Sequence, residues 1–116
     1  MPKLALIGGN PKGYNQPFHP DTLSGRRLRN ILTDLKLHCK IVDMTKNFDD
    51  IPTEAEIEDL QKQLQGYKVI FLGRFVERQL KKHFPNGVYL PHPASRRKSD
   101  IIRLKQGLEF LVPNGK

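Results

Sequence analysis

Two short stretches carry residue types that can do chemistry: "GGNPKGYNQPF" at 8–18 and "YLPHPASRRKSD" at 89–100. In the first, Pro11 holds the chain in a fixed turn and directs the Asn10 side chain into whatever the loop encloses. An amide there can accept a hydrogen bond from a water and position it for attack without carrying charge. Phe18 offers a flat face on which a nucleobase can stack. In the second stretch, His92 stands between two prolines and is followed by Ser95, Arg96, Arg97 and Lys98. An imidazole N–H can stabilise an oxygen on which negative charge grows, and a basic loop suits a phosphate backbone. Arg26, Arg27 and Arg29 open a helix whose first amides already favour anions. Taken singly, each residue also has a plain structural reading: Asn10 as a turn former, Phe18 as a loop anchor, His92 as a strand-end residue, the arginines as a solvated face.

Familiar nucleotide motifs fail. Gly8 and Gly13 have the spacing of a phosphate-cradling loop, but Tyr14 and Asn15 stand where Lys and Ser/Thr belong, and no GxGxxG run occurs. His19, His38 and His83 share no metal-ligand spacing with Cys39 or with a carboxylate cluster, so neither a metal nor a cofactor is expected. One cysteine cannot hold an iron–sulfur cluster.

The elements that position these stretches follow from apolar patterning. Strands are predicted at 3–8, 39–44, 68–73 and 87–91, the first closed by Gly8-Gly9. Helices are predicted from a cap at Asp21, Thr22 or Ser24 to about Leu37, over 53–66 with Thr53 and Glu56 as a capping box, over 74–84, and over 99–112. Strands alternating with helices predict an α/β fold, a three-layer αβα sandwich on a four-stranded parallel sheet; the expected strand order is 2-1-3-4. Sites in such sheets gather beyond the carboxyl ends of the strands, which brings residues 9–20 and 91–98 to one edge.

The chain of 116 residues suits a single domain, 1–116. Its 20 Lys+Arg against 12 Asp+Glu give a formal net charge of +8, a balance that favours a polyanionic partner, nucleic acid first. A lone cysteine excludes an intrachain disulfide and points to a reducing compartment. No apolar run is long enough to cross a bilayer. A soluble cytoplasmic monomer is the expectation.

"LIGGNPKGYNQPFHPDTLSGRRLRNIL" resembles the first motif of the uracil-DNA glycosylase superfamily. "VIFLGRFVERQL" is similar to that family's third strand and "YLPHP" to its second motif, so the resemblance runs in order along nearly the whole chain. It implies a DNA glycosylase that flips a nucleotide, attacks C1′ with water and releases uracil or a related base as an anion. On that resemblance Asn10 orients the water and His92 stabilises the leaving base. Gly9, Tyr14, Phe18 and Asp43 surround the base. Ser24, Arg26, Arg27, Ser95, Arg96, Arg97 and Lys98 hold the DNA.

Two departures stand out. The family's His-Pro-Ser is here His92-Pro93-Ala94-Ser95, so the phosphate-binding hydroxyl is missing at its usual place unless Ser95 supplies it from one residue later. Asp43 falls where an Asn usually reads the uracil edge, and an ionised Asp only accepts hydrogen bonds. These departures keep a second expectation open: an inactive nucleotide- or DNA-binding module of the same fold.

Overall fold

The computed structural model describes residues 3–9, 21–45 and 51–111. Along the chain run β1 (Lys3–Gly8), α1 (Leu23–Asp34), β2 (Lys40–Asp43), α2 (Glu54–Gln63), β3 (Tyr67–Leu72), α3 (Arg74–Leu80), β4 (Val88–Leu90) and α4 (Lys98–Leu111). All strand pairings are parallel, as the alternation of elements predicts, and the sheet order is the expected β2-β1-β3-β4.

Alternation along the central strands divides the core into two layers. Leu4 and Leu6 of β1, with Ile70 and Leu72 of β3, face Leu28, Ile31 and Leu32 of α1 and Leu104 and Leu108 of α4. Ala5 and Ile7, with Val69 and Phe71, face Leu60 and Leu64 around α2 and Val76 and Leu80 of α3. The β1-to-β2 connection steps one way along the sheet, and the later connections step the other way. Right-handed crossovers running in opposite directions place their helices on opposite faces, which separates α1 from α2 and α3.

The caps explain where the helices begin. Of the three candidates, Thr22 caps α1, its Oγ1 accepting from Gly25 N–H at 3.0 Å. The capping box of Thr53 and Glu56 at the head of α2 forms as the sequence predicts. Glu56 Oε1 accepts from Thr53 N–H at 3.0 Å and also from the hydroxyl of Thr45, buried to 2% exposure, at 2.8 Å. One carboxylate thus ties the end of β2 to the start of α2.

Three helices stop earlier than predicted, α2 at Gln63 rather than 66 among them. α1 ends at Asp34 rather than near Leu37, because Lys36 takes the left-handed conformation (φ 55°). Leu37 N–H then returns to Leu32 O at 2.9 Å and Lys36 N–H to Thr33 O at 3.1 Å, closing a Schellman turn. That turn folds Leu37 back against the core, a use of its apolar side chain that helical spacing also accommodates. α3 ends at Leu80 rather than Phe84; Phe84 instead meets Phe71 edge-on with ring centroids 6.5 Å apart.

Candidate functional site

Because the strand order reverses between β1 and β3, the crevice for a ligand lies outside the carboxyl ends of those two strands. Both end in glycine. β1 closes with Gly8-Gly9, and β3 gives way to Gly73, whose φ of 105° only glycine adopts without strain. Gly8 is paired with Asp43, Gly8 O accepts from Met44 N–H at 2.7 Å, and Gly9 O accepts from Thr45 N–H at 3.2 Å. Gly9 therefore lies one residue beyond the Gly8–Asp43 pair at the carboxyl edge.

His92 lies along the same edge, beyond β4. Gly73 N–H donates to Leu90 O at 2.9 Å, which carries the β3–β4 pairing to the last residue before Pro91-His92. The His92 ring lies over Gly73: a Cβ added there would come within 3.5 Å of His92 Cβ and 3.6 Å of Cδ2. β2 and β4 are three strand spacings apart, roughly 14 Å. The His92 ring thus reaches back from the end of β4 to the residue that follows β3.

The ring's tautomer is set by the backbone. Ala94 N–H donates to His92 Nδ1 at 3.0 Å, so Nδ1 is an acceptor and the ring proton of the neutral imidazole sits on Nε2. Ser95 N–H donates to His92 O at 3.1 Å, closing the turn that holds this arrangement. Ala94, anomalous by side chain, contributes through its amide.

The loop after His92 is braced from α1. Arg27 Nη1 donates to Ser95 O at 2.9 Å and to Pro93 O at 3.2 Å. Arg27 thus holds the loop, while its neighbour Arg26 is exposed beside it. Ser95 Oγ donates to Asp100 Oδ2 at 2.6 Å and accepts from Arg97 N–H at 3.3 Å. Its one hydroxyl proton is therefore engaged within the loop. Ser24 is half-buried and lies 3.5 Å, hydroxyl to hydroxyl, from the cap Thr22. Arg96, Arg97 and Lys98 are exposed, and with Arg26 they form a basic patch around the Arg27 brace.

Asn10, Tyr14 and Phe18 lie outside the described residues. Of the remaining expected site residues, the fold brings Gly9 and Asp43 to one end of the crevice and His92 to the other, with the basic residues on the α1–α4 side. Sequence reasoning missed Gly73 as the floor beneath His92; its signal was a glycine directly after a buried strand and before a helix. It also missed Arg27 as a brace, which no local pattern distinguishes from its neighbours.

Among the described residues no group of three or more His, Cys, Asp or Glu side chains is gathered as metal ligands would be. None of their helices is long and apolar enough to cross a membrane. Comparison with protein-family models, with curated proteins and with solved structures finds no match.

Proposed function

We propose that this protein is a DNA glycosylase that hydrolyses the N-glycosidic bond of uracil or a related deaminated or modified base. The observation that carries the reading is the Ala94 N–H to His92 Nδ1 hydrogen bond, which makes Nε2–H the ring's donor at the carboxyl edge of the sheet. A neutral imidazole held in one tautomer is suited to stabilise a base departing as an anion, because the donor is in place before charge develops. Asn10, on the loop leaving β1, would orient the attacking water, and Phe18 would stack on the flipped base. Asp43, paired with Gly8, would accept from the base edge, which favours a base carrying an N–H or an exocyclic amine at that position. The basic patch of Arg26, Arg96, Arg97 and Lys98 would carry the phosphate backbone.

Incubation with single- and double-stranded oligonucleotides bearing uracil, hydroxymethyluracil or a deaminated purine tests this, scored by alkali cleavage at abasic sites. Base release by the wild type and its loss in His92→Ala and Asn10→Ala are expected. Intact substrate throughout, with the protein folded, refutes it.

One observation favours a second reading, a binding module that does not cut. The Ser95 hydroxyl donates to Asp100 and not outward, so the loop lacks the serine donor to phosphate that the resemblance implies. Oligonucleotide binding by calorimetry together with persistent inactivity selects that reading.

A further inference from the structure

Five large apolar side chains are exposed among the described residues, and three of them share one rim. Leu23 (47% exposed) opens α1, Ile51 (53%) precedes α2 and Phe75 (44%) lies in the first turn of α3. Each therefore follows the carboxyl end of a strand in a parallel sheet, at the edge where His92 sits. Of the other two, both on α4, Ile102 lies one turn in from its start and Phe110 near its far end. Scattered exposed apolar residues need no explanation, but apolar groups collected around a crevice and interleaved with cations do.

Exposed cations and one exposed aromatic approach His92 from different faces of the sheet. Arg27 joins the first turn of α1 to residues 93–95, so Arg26, Arg96, Arg97 and Lys98 lie on the α1–α4 side of the sheet. Gly73 underlies the imidazole, and Phe75, two residues on, belongs to the helix on the opposite side. Phe75, beside the exposed Arg74, thus offers an aromatic face near the Gly73–His92 contact, while Arg26, Arg96, Arg97 and Lys98 offer charge from the α1–α4 side. In a duplex the bases are paired and stacked inside, beyond the reach of a ring on the far side of the crevice. In a single strand each base is available to an aromatic face.

We infer that this rim binds single-stranded nucleic acid, with the backbone on Arg26, Arg96, Arg97 and Lys98 and an unpaired base, adjacent to the one in the crevice, stacked on Phe75. The inference rests on the nucleic-acid reading above and adds the strandedness of the partner and the residue that senses it.

The test is fluorescence anisotropy with a short dye-labelled thymine oligonucleotide, alone and annealed to its complement, so that no base removal is involved. The single strand is expected to bind more tightly than the duplex. Phe75→Ala should weaken single-strand binding about five- to tenfold, the low end for one stacked base, since the ring is only partly covered. The slope of affinity against salt should stay the same, because no phosphate contact is lost. Phe110→Ala, which removes a still more exposed ring at 88%, should change nothing. Phe75→Tyr should bind as wild type and Phe75→Leu should not. Equal urea midpoints for all variants confirm that folding is not what changed.

Three outcomes overturn the inference while leaving the glycosylase reading in place: wild-type affinity in Phe75→Ala, rescue by Leu as complete as by Tyr, or preference for duplex. Failure of the wild type to bind either oligonucleotide removes the nucleic-acid reading itself.

Discussion

Replacing Arg27 by Gln should loosen the loop that holds His92 before it weakens the fold as a whole. The guanidinium Nη1 donates to two carbonyls, Ser95 O at 2.9 Å and Pro93 O at 3.2 Å. A hydrogen bond to a charged donor contributes about 1.5–3 kcal/mol in net terms. Here a single nitrogen serves both acceptors, and Arg27 is half-buried, so water replaces part of what is lost. The expected cost is about 1–2 kcal/mol, not twice the single-bond figure. For a domain between the usual size brackets that is a fall in Tm of roughly 4–10 °C. The local readout is sharper. The Ala94 amide donates to His92 Nδ1, and its hydrogen exchange reports whether the loop stays closed. Protection at Ala94 should drop about 5- to 30-fold in Arg27→Gln. In Arg27→Lys the drop should be smaller, because an ammonium keeps a point charge but loses the planar fork. If Ala94 protection is unchanged while Tm falls, Arg27 serves only the packing of α1, and its proposed role in positioning His92 is wrong.

Gly87→Ala should destabilise by about 3 kcal/mol, because the new Cβ would stand 2.4 Å from Cε2 and Cζ of the fully buried Phe71 ring; urea unfolding measures it, and a loss below about 1 kcal/mol would mean that the ring can yield. Lys36→Gly should raise stability by about 0.5–1 kcal/mol, since a side chain at φ 55° in the α1 cap is strained where glycine is not; an unchanged midpoint would refute that strain. Burial holds the Cys39 thiol above its ordinary value of 9.0. The unfolded chain therefore releases this proton first, and the thiol's contribution to stability, full below the unfolded value, declines as pH rises through the folded one. Alkylation of Cys39 near pH 9 should accordingly be slower in the native protein than in urea, and Cys39→Ser should flatten the alkaline decline.

Much of the architecture was legible because local signals and burial agree along this chain. Apolar runs closed by glycine or proline at β1, β3 and β4 leave no helical alternative of useful length. Given the order β2-β1-β3-β4, the handedness of crossovers then sets the face each connecting helix takes. Helix ends were less legible. Leu35 and Leu37 fit a helical stripe, yet both also pack against the core from a Schellman turn, and one-dimensional spacing does not separate the two. Phe84 was read into α3 by the same ambiguity, and its contact with Phe71 decided otherwise.

The site divides in a similar way. Residue types and chain order alone determined that Gly9, Asp43 and His92 come to one edge, since each follows a strand of a parallel sheet. The excess of Lys and Arg over Asp and Glu sets only the expectation of an anionic partner. Only the tertiary structure decided what each group does there. Ser95 and Arg27 looked outward-facing by type, yet hydrogen bonds to Asp100 and to two loop carbonyls turn them into supports. Ala94, which seemed a loss at the side-chain level, supplies the amide that sets the His92 tautomer. The physical reason is that a polar group's role depends on which partners lie within about 3 Å, and contacts such as Arg27–Ser95, between residues distant in sequence, exist only once the sheet has brought its loops together.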